Sequence, residues 1–158
     1  MTMQQTQQPT TEALPQQSSP PTMSASATGP SRDDAAALIQ LATLHAQLQV
    51  SAGLDVLWRS DFPTDPYTID AWFAPGTDGR RGLEAVLVWF QTVGTLVRHG
   101  LLDAELCRDF ARADLVWERI GAMAIAQRAR TGDETMWANF EHLAASHAPA
   151  DRTIDLDG

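Results

Sequence analysis

Residues 79–100 read GRRGLEAVLVWFQTVGTLVRHG, and this stretch decides the fold. Apolar side chains recur in it every three or four residues, which is the spacing of one face of an α-helix. This seam consists of Leu83, Val86, Leu87, Phe90, Val93, Gly94 and Val97, and a stripe of Ala85, Trp89, Thr92 and Leu96 lies beside it. Apolar positions therefore cover more than half of the circumference, which predicts a central helix surrounded by other helices. Gly94 lowers helix propensity, so its presence indicates that a neighbouring helix approaches closely.

The residues before the central helix predict one long helix and one short helical turn. Ser31 is a suitable N-cap, and apolar residues follow it at helical spacing as far as Gly53. We expect Gly53 to end or kink this helix, which residues 54–58 could continue for one more turn. Three prolines and two glycines exclude a long regular element from residues 61–79, where only a short helix from Tyr67 to Phe73 fits.

The residues after the central helix predict three further helices. Asp103 is placed to cap a short helix in which Leu106 and Phe110 face the core together. A longer helix carries the apolar residues between positions 115 and 124. Thr131 and Glu134 match the capping-box pattern, which predicts that the last helix begins there. Together these elements predict an all-α domain, a compact bundle of five or six helices.

The composition of the two ends predicts where the domain begins and stops. Residues 1–30 consist mainly of Gln, Thr, Ser and Pro, with a single charge at Glu12. Such a segment buries too little apolar surface to offset the backbone ordering cost of ~1–2 kcal/mol per residue. We therefore expect a disordered polar tail over 1–30, a helical domain over 31–148, and a frayed acidic C-terminus over 149–158.

The charge balance narrows the classes of partner. Eleven basic residues, all of them Arg, stand against twenty acidic ones, which gives a formal net charge of -9. Nucleic acids and anionic membranes attract concentrated positive charge, so we expect neither as a partner. The sequence also contains no apolar stretch of membrane-spanning length and no secretory signal, so we expect a cytoplasmic protein without a membrane span.

No constellation of residues typical of catalysis or of metal binding is present in the sequence. Cys107 is the only cysteine, and its place beside Leu106 predicts a partly buried, inert thiol. The four histidines lack the spacing of a metal-binding helix face. Arg112, Glu118 and Arg119 are expected to be solvated helix-face charges. We therefore predict no catalytic, cofactor-binding or metal-binding residue, and no cofactor.

Aromatic residues around the proline-rich segment are the candidates for partner contact. Those within the segment would either cap the helical core or form an exposed contact surface. Trp58 and Trp72 flank it and are the stronger contact candidates, since tryptophan is enriched at binding hot spots. Trp89, Trp117 and Trp137 lie on apolar stripes and are expected in the core. The predicted contact set is Trp58, Phe62, Tyr67, Trp72 and Phe73.

Three sequence blocks between about residues 83 and 143 resemble a known bacterial family. They are VWFQTVGTLVRHGLLDAEL at 88–106, Val116-Trp117-Glu118, and WANFEHL at 137–143. In these blocks the chain resembles a family of helical domains, domain-of-unknown-function family 4760. The resemblance implies a compact helical domain, often near membrane segments, and it implies no activity. This chain differs in its polar tail and in the lack of an apolar span.

Three functional hypotheses follow from these observations. The first is a non-enzymatic protein-interaction or regulatory module with an unidentified protein partner, to which an acidic surface and five tryptophans point. The second is a small ligand-binding protein or enzyme with a pocket inside the bundle, where His45 would converge with Glu84 or Glu118. The third is a transcription-linked regulator that acts through protein contact or through acidic mimicry of DNA. A homodimer joined through the apolar seam is a further expectation.

Overall fold

A computed structural model of the protein describes residues 29–148, and this part of the chain is helical and without strands. Its seven helices are α1 (Arg32–Gln47), α2 (Val50–Leu57), α3 (Pro66–Trp72), α4 (Asp78–Arg98), α5 (Ala104–Phe110), α6 (Ala113–Thr131) and α7 (Ala138–His147). The all-α prediction is confirmed, with one helix more than the upper predicted number. The predicted tail lies outside the described residues except for Gly29 and Pro30, and the predicted frayed C-terminus lies wholly outside them.

Helix α4 is the centre of the domain, as its apolar pattern predicts. Leu83, Val86, Leu87, Phe90 and Val93 are buried, and they pack mainly against α2 and α7. The seam is therefore covered by helices of the same chain. Thr77 caps the first turn of α4, since its hydroxyl accepts a hydrogen bond from the amide of Arg80, and the left-handed Gly100 follows its last turn.

The break in the first predicted helix lies at Gln49 and not at Gly53. Gln49 adopts a left-handed conformation with φ of 54°, which ends α1 and starts α2 in a new direction. Gly53 lies inside α2 because a close helix crossing requires it. A Cβ at this position would collide with the carbonyl group of Gly82 on α4 and lie 2.8 Å from a methyl carbon of Val86.

The predicted capping box at Thr131 is also wrong. Thr131 is the last residue of α6, where its hydroxyl donates to the carbonyl oxygen of Gln127 at 2.9 Å, and the left-handed Gly132 closes the helix. Helix α7 begins only at Ala138, after a second left-handed residue, Trp137. A threonine with a glutamate three residues later therefore marked the end of one helix and not the start of the next.

Helix α3 is short, but ion pairs fix its position on the domain. The side chain of Asp65 caps it by accepting from the amide of Thr68. Asp70 accepts a hydrogen bond of 2.6 Å from the buried guanidinium of Arg80 on α4, and it also pairs with Arg130 on α6. The predicted short helix from Tyr67 to Phe73 is thus present, and it is anchored to two long helices. Among the seven helices, none is both long and apolar enough to cross a membrane.

Candidate functional site

The five predicted contact residues divide into two groups in the structure. Phe62 is 6% exposed, and its ring stacks on that of the partly buried Phe73 with 5.9 Å between centroids. The Phe73 ring covers Gly79 at the start of α4, where a Cβ would lie 2.7 Å from the ring edge. Both phenylalanines therefore cap the core, which is one of the two alternatives for this segment.

The other three aromatic residues reach the solvent. Trp58 is 50% exposed, Trp72 is 55% exposed, and Tyr67 is 86% exposed. We call these three side chains the aromatic surface. They come from the end of α2 and from α3, so the aromatic rings around the proline-rich segment divide between the core and the solvent.

Arg119 fixes the backbone beneath Trp58. Its guanidinium donates to the carbonyl oxygen of Leu57 from Nε at 3.2 Å and from Nη2 at 2.8 Å, and Nη2 also donates to that of Arg59 at 2.8 Å. It also lies 5.8 Å from the ring centroid of Trp58 and 5.5 Å from that of Phe62, within cation–π range. The expectation of a solvated charge at Arg119 is wrong, because residues sixty positions earlier in the chain supply its acceptors. Helical spacing carries no information on such distant partners.

A groove opens beside Trp58 between α1, α2, α4 and the α5–α6 junction, with a volume of about 320 Å³. We call it the aromatic groove. Its floor consists of the buried residues Trp89, Phe90, Ala111 and Val116. The indole of Trp89 is held in place, since its Nε1 donates to the carbonyl oxygen of Leu41 at 3.0 Å.

Two half-exposed rings, those of Trp58 and Phe110, also line the groove. Phe110 is 46% exposed, so the prediction that it faces the core with Leu106 is wrong. The buried residue of α5 is instead Cys107. Helix α5 has only seven residues, and apolar spacing over so short a helix fits two faces equally well.

The polar side chains that line the aromatic groove are His45 and Arg112. The His45 ring meets that of Trp89 edge to face, with 5.2 Å between centroids. Arg112 contacts both carboxylate oxygens of Asp114, at 3.0 Å from Nε and 2.8 Å from Nη2. That ion pair holds the pKa of Asp114 below its usual range.

The predicted meeting of His45 with Glu84 or Glu118 does not occur. Glu84 accepts a hydrogen bond of 2.8 Å from Arg80, near the start of α4. Glu118 lines a different depression, of about 560 Å³, between α6 and α7. Glu141 lies in the same depression, and it pairs with Arg128 at 2.7 Å. The acidic partners of the predicted pocket thus lie away from the aromatic groove.

The buried Cys107 sulfur is poorly suited to nucleophilic chemistry. Desolvation, with a smaller contribution from the charge of Asp103, raises the pKa of the Cys107 thiol to about 11. At neutral pH the thiol is protonated, and the reactive thiolate is scarce. The thiol is fully buried and not partly buried as predicted, and its inertness stays a prediction. Within residues 29–148, no cluster of three His, Cys, Asp or Glu side chains has the geometry to hold a metal ion.

Comparison with known protein families identifies one family that matches this domain. The model of the family described as "Domain of unknown function (DUF4760)" matches residues 31–146, nearly all of the described helical domain. No curated protein and no solved structure matches the chain. The matched range begins at the N-cap of α1 and ends within α7, and it includes the aromatic surface and the aromatic groove. Since the match covers most of its length, the chain belongs to the DUF4760 family.

Proposed function

We propose that this chain is a non-enzymatic protein-interaction module that binds a protein partner through the aromatic surface. The observation that carries the proposal is Tyr67, which is 86% exposed on a helix that is itself firmly attached. The Tyr67 ring contributes little to holding α3 in place, because the helix is held by the buried Ile69 and by the ion pairs of Asp70.

The energetics of aromatic side chains support this proposal. Burying one tyrosine or tryptophan removes ~150–250 Å² from water, and such rings dominate many interfaces. In the free domain Trp58 and Trp72 leave about half of their surface exposed, and Tyr67 leaves most of its surface exposed. A partner that covered these rings would gain the free energy of burying them. Their planar side chains also have few rotamers to lose on binding.

The attachment of the surface also favours binding. Arg119 fixes the backbone on both sides of Trp58, and Asp70 fixes α3 to α4 and α6. A surface that is already ordered loses less conformational entropy when a partner binds. The formal net charge of -9 favours a partner whose contacting face is basic, since complementary charge speeds association.

A photo-crosslinking experiment tests this proposal. A photoreactive phenylalanine derivative replaces Tyr67 in the full chain, which is expressed in its native host and irradiated. Leu101 is the control position, because it is 64% exposed but follows the opposite end of α4, about 30 Å from its first turn. We expect one discrete adduct with another protein from position 67 and none of that mass from position 101. Equal adducts from both positions, or none from position 67, would contradict the proposal.

A further inference from the structure

The aromatic groove has the size and the lining of a small-ligand site, apart from any contact made by the aromatic surface. Its volume of about 320 Å³ lies at the lower end of the ~300–1,000 Å³ typical of ligand pockets. Its lining consists largely of rings and aliphatic side chains, with two polar groups at positions that a ligand can reach. A mostly apolar lining with a few polar groups is the usual composition of a specific small-molecule site.

The shape of the groove selects a flat apolar group. Trp89 and Phe90 meet edge to face with 4.8 Å between centroids, so two perpendicular rings lie side by side in the floor. The ring of Phe110 lies 6.2 Å from that of Trp89 and is tilted from it by 46°. An aromatic ring between Trp58 and Phe110 could adopt the offset or edge-to-face contacts that rings prefer.

The polar lining selects the charge of the ligand. His45 and Arg112 both offer N–H donors, whereas no carboxylate lines the groove. Arg112 uses Nε and Nη2 for Asp114, and among the described residues its Nη1 donates to no acceptor. The His45 ring likewise has no hydrogen bond to a residue in this range. A carboxylate on the ligand would find donors on both side chains, whereas an ammonium group would find only the acceptor nitrogen of a neutral His45 among these two side chains.

We propose that the aromatic groove binds a small aromatic carboxylate, with its ring between Trp58 and Phe110 and its carboxylate on Arg112 and His45. The ring supplies apolar burial, and the carboxylate gains charge-assisted hydrogen bonds, which are stronger than neutral ones. This site is independent of the proposed protein contact, although Trp58 borders both.

Three matched probes test this proposal on the full chain. They are naphthalene-2-carboxylate, its neutral carboxamide, and 2-naphthylmethylamine, which share one ring system and differ in charge. Binding is followed by the ¹H–¹⁵N signals of the tryptophan indoles during titration to 5 mM. We expect the carboxylate to bind about ten-fold more tightly than the amine, with the carboxamide between them, because only the carboxylate forms charge-assisted bonds. The Trp58 and Trp89 signals should move most.

Two variants locate the site without relying on a change in the core. Ala42→Phe places a ring into the groove from an exposed position of α1, and we expect it to abolish carboxylate binding. Arg112→Gln should reduce the preference for the carboxylate over the carboxamide at least three-fold. Leu101→Ser, away from the groove, should bind as the wild type does. Circular dichroism of each variant confirms the fold.

Three results would overturn the proposal. The first is no saturable shift with the carboxylate at 5 mM, which would show that the groove accepts no such ligand. The second is amine binding as tight as carboxylate binding, which would remove the role of His45 and Arg112. The third is undiminished binding by a folded Ala42→Phe variant, which would place the ligand elsewhere. Each of these results leaves the crosslinking test from position 67 unaffected.

Discussion

The imidazole of His147 lies in the core near the end of α7 and is 5% exposed. Neither ring nitrogen forms a hydrogen bond of normal geometry among residues 29–148, although the backbone of Ala111 lies near the ring. Desolvation lowers the pKa of His147 below its usual 6.5, and the positive charge of Arg108 acts in the same direction while Asp114 partly opposes it. The folded protein therefore holds this side chain in its neutral form.

This burial predicts a loss of stability in mild acid. Below pH 6.5 an unfolded chain takes up a proton at His147 more readily than the folded chain does, so the free energy of unfolding falls as the pH falls. The carboxylates with lowered pKa, such as Asp34 and Asp70, add their losses only below about pH 4. We expect urea unfolding between pH 7 and pH 5 to show a decline that His147→Leu removes. His142→Gln, at an exposed position of the same helix, should retain it, and an unchanged decline in His147→Leu would refute this assignment.

For single residues, the sequence predicted contacts between near neighbours in the chain well and contacts between distant residues poorly. The Ser31 and Asp103 caps are present as predicted, because each acts on an amide three residues later. The role of Arg119 could not be found, since its carbonyl acceptors lie on another element. For the same reason the sequence could not separate the buried Phe62 from the exposed Tyr67, which both lie in the irregular region.

Close helix crossings explain two glycines inside helices, Gly53 and Gly94. At Gly94 of α4, a Cβ would lie 2.6 Å from the carbonyl carbon of Asn139 at the start of α7. The same crossing carries a hydrogen bond of 3.0 Å from the Phe140 amide to the Gln91 side chain, and the Phe90 and Phe140 rings stack with centroids 4.7 Å apart. The close approach that the sequence predicted at Gly94 is confirmed, and α7 is the helix that makes it.

Gly94→Ala tests this crossing. Alanine raises helix propensity by about 1 kcal/mol, so the variant would be more stable if the position were open. Because backbone and not a flexible side chain occupies the space, we expect a net loss of about 1–3 kcal/mol in the free energy of unfolding, measured in urea. Thr92→Ala, two residues away on a more open face of α4, should change it by less than about 0.5 kcal/mol. A Gly94→Ala variant as stable as the wild type would contradict the close packing.

Element boundaries show where sequence patterns reach their limit. The end of α4 at His99-Gly100 was predictable because a left-handed glycine is a strong local signal. The break at Gln49 was not, since glutamine rarely adopts the left-handed conformation and the neighbouring Gly53 offered a stronger signal. The structure places Gly53 at a helix contact, so the same residue type marks a helix end in one place and a crossing in the other.

The whole molecule combines a filled core with an exposed set of aromatic rings. Residues 29–148 bury their apolar seam within one chain, which removes the reason that the sequence offered for a homodimer. The oligomeric state itself stays a prediction. The large apolar side chains that the domain leaves exposed include the three rings of the aromatic surface, and the aromatic groove opens beside Trp58. We expect the aromatic surface to serve binding and not folding.

The most direct measurement of that claim is partner recovery by a Tyr67→Ser variant. The tagged full chain, the Tyr67→Ser variant and the control Leu101→Ser are each purified from the native host. The partner protein that crosslinking from position 67 has identified is then quantified in each sample. Tyr67 is 86% exposed, so its loss should change the free energy of unfolding by less than about 0.5 kcal/mol. We predict at least ten-fold less partner with Tyr67→Ser and an unchanged amount with Leu101→Ser. Full recovery of the partner by a stably folded Tyr67→Ser variant would contradict the account.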